Sequence, residues 1–70
     1  MTQKETELMH GVLQMPELKS ISIYETLFTF WFERGRKKIT KMISRLEIEK
    51  SKYNIFEWLV QEVRKGLGDE

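Results

Sequence analysis

Basic side chains are concentrated in one short segment of this 70-residue chain. Six of them fall within twelve residues: Arg34, Arg36, Lys37, Lys38, Lys41 and Arg45. Guanidinium and ammonium groups bind phosphate through charge-assisted hydrogen bonds. The segment 34–45 therefore predicts contact with a phosphate backbone or another anionic surface. Within it, Ser44 and Arg45 are the candidates for contacts with base edges.

The net charge of +1 hides this segment. Residues 34–52 carry a net charge of +6, whereas residues 1–33 carry −3 and residues 53–70 carry −2. A charge run is usually the solvated face of a helix. Here, however, Lys37, Lys41 and Arg45 would repel one another at helical spacing, and cations at 36–38 would oppose the dipole at a helix start. Choices that oppose local stability are expected at a functional surface.

Most catalytic and metal chemistry is excluded by residue counts. The chain has no cysteine, one histidine (His10) and one aspartate (Asp69), and it contains no glycine-rich phosphate loop. One histidine cannot complete a zinc site. The position of Asp69 in the tail argues against its orienting a Ser–His pair. We therefore expect a protein that is not an enzyme and that has neither a metal nor another cofactor.

The elements that must position the basic segment are indicated by helix start and stop signals. Three starts have the capping-box form, in which a short polar residue precedes Glu by three positions. They are Thr2…Glu5, Ser22…Glu25 and Asn54…Glu57, and Pro16, Gly35, Gly66 and Gly68 follow as breakers. With an apolar stripe through 39–46, these signals predict helices near 3–14, 23–34, 37–52 and 55–67.

The segment 21–32 is rich in residues that also favour strands. Advanced by about 100° per residue, its apolar side chains fill an arc of roughly 200°, and its polar side chains gather in the opposite arc. Strict alternation fits less well, because apolar Leu27 and Trp31 lie at odd-numbered positions together with polar Glu25 and Thr29. Periodicity therefore favours a helix here.

Together these elements predict one all-α domain of four helices over residues 1–70. A helix beginning after Gly35 with a basic outer face would give the domain a helix-turn-helix character. In a minor alternative, residues 27–33 form a strand followed by two helices, an order reminiscent of ribbon-helix-helix repressors. The three phenylalanines of that segment argue against the alternative, since ribbon strands present polar side chains to the groove.

The aromatic helix has more apolar surface than one small domain is expected to hide. An arc of roughly 200° exceeds the ~100° that a surface helix normally buries. Either this helix is central in the fold or part of it closes a homodimer. The candidate interface residues are Phe28, Phe30, Trp31 and Trp58.

Two functions remain open at this point. The first is a small transcriptional or replication regulator that binds nucleic acid, DNA rather than RNA, through a basic helix face. The alternative is a protein-interaction module or inhibitor of the phage or plasmid type, which docks on an acidic partner through its aromatic helix. We expect neither a targeting signal nor a membrane segment, and hence a cytoplasmic protein.

Overall fold

A computed structural model describes residues 1–68 and combines a three-stranded antiparallel sheet with three helices. The middle strand of the sheet is β2, which pairs with β1 on one side and β3 on the other. In chain order the elements are α1 (Gln3–Val12), β1 (Leu18–Ile23), β2 (Leu27–Arg34), β3 (Lys37–Ser44), α2 (Arg45–Lys50) and α3 (Ile55–Gly66).

The prediction of an all-α domain, with its helix-turn-helix character, is wrong. Residues assigned to a helix over 23–34 form the end of β1, a turn and β2. Burial along β2 follows a period of two: Phe28, Phe30 and Phe32 are buried, while Trp31 between them is exposed. That period belongs to a strand with one face covered. The apolar arc of roughly 200° combined residues from two strands on either side of a hairpin turn, and so it did not reflect one continuous helix.

Gly35, predicted to end a helix, lies instead in the turn of the second hairpin. Arg34 and Lys37 are paired across β2 and β3, so Gly35 and Arg36 form a two-residue turn. Gly35 has φ +60°, and Arg36 does not have positive φ. Positive φ at the first turn position alone is the pattern of a type II′ hairpin, which glycine adopts without steric cost.

The ribbon-helix-helix alternative is also wrong. It correctly assigned strand structure to residues 27–33, but it required a helix over 37–50. Residues 37–44 instead form β3, and only Arg45–Lys50 are helical. In β3 the buried or half-buried positions Ile39, Lys41 and Ile43 alternate with exposed Thr40 and Met42.

The first and last predicted helices are present, with their predicted starts. Thr2 and Glu5 form both hydrogen bonds of a capping box, and the Asn54 side chain accepts from the Glu57 amide. The predicted box at Ser22 lies on β1 instead. A further helix start, not predicted from the sequence, lies at Ser44, whose hydroxyl accepts from the Glu47 amide.

The hydrophobic core lies between one face of the sheet and the helices. α1 contacts both α2 and α3, and α2 and α3 each contact β3 as well. Each helix supplies apolar side chains to the same cluster as the β2 phenylalanines. Its buried members are Leu8, Val12, Phe28, Phe30, Phe32, Ile43, Ile48, Ile55, Leu59, Val63 and Leu67.

One ion pair ties α1 to the junction of β3 and α2. Glu5 is only 1% exposed, and its two carboxylate oxygens accept from the Arg45 Nε and Nη2 at 2.8 and 3.0 Å. The Thr2 amide donates to the same carboxylate at 3.1 Å. The Arg45 guanidinium lies 5.7 Å from the centroid of the Phe28 ring. Arg45 therefore connects the helix layer to the sheet.

These contacts shift the pKa of Glu5. The hydrogen bonds from Arg45 lower the pKa to about 2, against the effect of burial, which alone would raise it. Since the folded-state pKa lies below the ordinary value of 4.5, the unfolded chain binds more protons between these two values. The ion pair's contribution to stability is thus complete above pH 4.5 and is lost as the pH falls toward 2.

We predict that Glu5→Gln lowers the free energy of unfolding at pH 7 by about 1–3 kcal/mol, because a buried charged hydrogen bond is lost. The difference from wild type should shrink as the pH falls from 4.5 toward 2. Urea unfolding at several pH values measures it, with exposed Glu7→Gln on the same helix as the control. A difference that did not vary with pH would contradict this account.

Candidate functional site

The face of the sheet opposite the core is exposed to solvent. Residues directly opposite each other in an antiparallel pair share a face, so the odd-numbered positions of β2 define this surface. Met42 is 64% exposed and Trp31 is 37% exposed. We call this surface the open face; apart from Ser44, which lies opposite Leu27 but caps α2, it comprises Ser20, Ser22, Leu27, Thr29, Trp31, Glu33, Lys38, Thr40 and Met42.

Trp31 lies at the centre of the open face. Its partner across β1 is Ser20, and its partner across β3 is Thr40. Both partners have short side chains: serine ends in a hydroxyl group, and threonine carries a hydroxyl and a methyl group. The indole is therefore flanked by a hydroxyl-bearing side chain on each neighbouring strand.

A shallow depression lies beside the indole. It has a volume of about 220 Å³, and its lining includes Lys19, Ser20, Trp31, Glu33 and Lys38. This volume is below the ~300–1,000 Å³ of pockets that enclose small-molecule ligands. The depression is therefore too small to enclose a ligand of that kind.

Glu33 lies in the depression between two lysines. Its Oε1 is 3.9 Å from the Lys19 Nζ, and its Oε2 is 3.8 Å from the Lys38 Nζ. Both separations are longer than a hydrogen bond, which requires about 2.7–3.2 Å. The carboxylate is thus partly neutralised, and both of its oxygens keep the capacity to accept hydrogen bonds.

The basic turn, which we define as Arg34, Arg36, Lys37 and Lys38, adjoins this end of the open face. Arg34 pairs with Glu17, whereas Arg36 and Lys37 have no ion pair with residues 1–68. The Lys37 amine lies against Gly68, just beyond the end of α3. A cation is favourable there because the helix dipole is negative at its C-terminus. The structure therefore brings together four of the seven predicted nucleic-acid contacts.

The other three predicted contacts have structural roles away from the basic turn. Lys41 lies on the core-side face of β3 and pairs with Glu62 at 3.1 Å. Ser44 accepts from the Glu47 amide and so caps α2. Arg45 binds Glu5. The structure does not join these residues to the basic turn because strand alternation and the start of α2 direct them elsewhere.

The predicted interface aromatics are also divided. Phe28 and Phe30 lie in the core, with ring centroids 6.1 Å apart, and both are fully buried. Trp58 on α3 is half-buried against the same core. Only Trp31 reaches the open face. Buried Phe28 and Phe30 cannot supply a docking surface without unfolding the sheet.

Sequence reasoning missed four residues of this site: Lys19, Ser20, Glu33 and Thr40. A signal for them exists in the alternation of exposed Lys38, Thr40 and Met42 with Ile39 and Ile43. Applied to 37–44, a period of two would have indicated a strand with a polar outer face. Register with β2 then places Glu33 opposite Lys38.

Comparison of the chain with protein-family models, curated protein sequences and solved structures finds no match. Within residues 1–68 no helix has the length and apolar character needed to cross a membrane. The same part of the chain contains no cluster of three or more His, Cys, Asp or Glu side chains arranged to hold a metal ion.

We predict that the same substitution destabilises the protein far more at Phe30 than at its neighbour Trp31. Phe30→Thr should lower the free energy of unfolding by at least about 3 kcal/mol, because it leaves a cavity and buries a hydroxyl. Trp31→Thr should lower it by about 1 kcal/mol or less, since only cross-strand contacts on an exposed face are lost. Chemical denaturation measures both, and equal losses would show that Trp31 belongs to a second core.

Proposed function

We propose that this protein binds nucleic acid through the open face and the basic turn. The observation that carries the proposal is the position of Trp31, half-exposed at the centre of a hydroxyl-bearing sheet face that leads into a cluster of cations. An aromatic platform beside a positively charged track is the combination that proteins use to bind unpaired nucleic acid.

The charge of the basic turn supports this proposal. Glu17 and Glu33 offset part of the charge from Arg34, Lys19 and Lys38, but Arg36 and Lys37 remain without an acidic partner in residues 1–68. The acidic side chains of α2 lie at the other end of β3. That end is about 23 Å away along an eight-residue strand at ~3.3 Å per residue. The resulting field is directional, and it attracts polyanions to one end of the sheet.

Hydroxyl groups on the open face provide a second kind of contact. Ser20 and Thr40 flank Trp31, and Thr29 lies two residues before it on the same strand. Serine and threonine hydroxyls are frequent donors to phosphate and sugar oxygens. Such contacts would position a strand of nucleic acid across the sheet without selecting its sequence.

This proposal replaces the basic helix face with a sheet surface and a turn. Arg45, Ser44 and Lys41 take no part in it, because their side chains stabilise the fold. The preference for DNA over RNA and a cytoplasmic location remain predictions.

A protein partner is the second candidate, and exposed apolar side chains favour it. Tyr24 is 75% exposed and Leu46 is 64% exposed, and both lie at the end of the sheet away from the basic turn. Met42, on the open face, lies toward the same end. A homodimer and a protein partner both stay predictions, and this end of the sheet is the contact surface we propose for them in place of the buried Phe28 and Phe30. Light scattering with and without added nucleic acid separates the two candidates.

We predict that Arg36→Gln combined with Lys38→Gln weakens nucleic-acid binding by about tenfold or more at ~50 mM salt. The slope of log affinity against log salt should become shallower by about 0.7–0.9 for each removed cation, because fewer counterions are released. Fluorescence anisotropy with a mixed-sequence oligonucleotide, tested as a single strand and as a duplex, measures both quantities.

The matched control is Lys50→Gln combined with Lys52→Gln. Both lysines are exposed and lie beyond β3, so the variant has the same net charge without altering the basic turn. The control should bind as wild type does. Equal losses in both double variants would indicate unspecific attraction to total charge, and undetectable binding of every oligonucleotide by wild type at ~50 mM salt would refute the proposed function.

A further inference from the structure

We propose that the depression beside Trp31 holds one unpaired base that carries an exocyclic amino group. The nucleic acid at this site is then single-stranded, and cytosine, adenine or guanine is preferred to thymine or uracil. This inference rests on the proposed function and adds to it the class of nucleic acid and a base preference.

The position of Trp31 requires an unpaired base. Inside a duplex both faces of every base are covered by neighbouring bases, so an indole has nothing to stack on. A single strand exposes these faces, and each base stacked on an aromatic side chain contributes substantially to affinity. Trp31's cross-strand partners Ser20 and Thr40 are exposed and short, and the depression lies beside the indole.

Glu33 supplies the base preference. It lies two residues from Trp31 on the same strand, and hence on the same face, and it lines the same depression. A carboxylate only accepts hydrogen bonds when it is ionised. The amino group of cytosine donates to such a carboxylate, whereas the single imino N–H of thymine is flanked by two carbonyl oxygens that would be repelled.

Lys19 and Lys38 allow a carboxylate to lie in a site for a polyanion. One ammonium group lies on each side of Glu33, at 3.9 and 3.8 Å from its oxygens. Their side chains are largely exposed, so each can contact a phosphate while still offsetting the charge of Glu33. The backbone would then pass over the lysines, and the base would point inward to Trp31 and Glu33.

The experiment compares two homopolymers, oligo(dC) and oligo(dT), each of about ten nucleotides, which is within the range that one small domain covers. Trp58→Phe leaves Trp31 as the sole tryptophan, so that the fluorescence reports stacking directly. We expect oligo(dC) to quench Trp31 and to bind roughly fivefold or more tightly than oligo(dT). A mixed-sequence duplex should produce no quenching.

Two substitutions separate the two contacts. Trp31→Leu should reduce the affinity for oligo(dC) by about tenfold or more, and Trp31→Phe should restore most of it, because a ring can still stack. Glu33→Gln should bring the ratio of oligo(dC) to oligo(dT) affinity close to one. Glu25→Gln, at the β1–β2 turn, makes the same change of charge away from the depression and should keep the ratio of wild type.

A second measurement covers the case in which Trp58→Phe disturbs the core. In the wild-type protein, oligo(dC) should shift the indole N–H resonance of Trp31 and leave that of Trp58 in place. A base preference that survives Glu33→Gln would overturn this inference while leaving the proposed function intact. Binding that depends on salt but leaves Trp31 unchanged would overturn this inference and would also remove the open face from the proposed function, leaving the basic turn alone. Undetectable binding of every oligonucleotide would overturn both.

Discussion

The rest of the structure depends on the alternation of side chains along β2. Because Phe28, Phe30 and Phe32 all point to one side, the central strand can be covered by helices on that side only. The helices of this 70-residue chain form one apolar layer, and that layer packs against the phenylalanines. Trp31 therefore lies on the opposite face, where it is half-exposed. The same constraint that builds the core leaves the platform on which the proposed function rests.

A second dependence is the division of the basic segment between fold and surface. Arg45 is held by buried Glu5 and by the Phe28 ring, and Lys41 is paired with Glu62. Because these cations satisfy acidic groups of the helices, they add little to the field at the surface. The cations of 34–38 lie in and beside the tight Gly35–Arg36 turn, with Lys37 against the end of α3, and they concentrate positive charge at that end of the sheet.

How far sequence alone could predict this protein differs from element to element. α1 and α3 were accessible because their caps are local: Thr2, Asn54 and the Glu three residues after each are enough to start a helix. The strands were not accessible from a twelve-residue window, because 21–32 contains the end of one strand, a turn and most of the next. Ile39 and Ile43 suit either period, being separated by four residues, so they could not distinguish a strand from a helix.

The sequence by itself determined where the positive charge is concentrated, that no cysteine is available, and where two helices begin. Each of these properties depends on residue identity or on contacts within a few positions. Only the tertiary structure decided which cations remain at the surface and which aromatic side chain of 28–32 is exposed. Those outcomes depend on strand register and on pairs such as Glu5 with Arg45, whose partners are 40 residues apart. Local periodicity does not indicate contacts between residues so far apart in the chain. The site beside Trp31 depends on such contacts, because its residues come from three different strands.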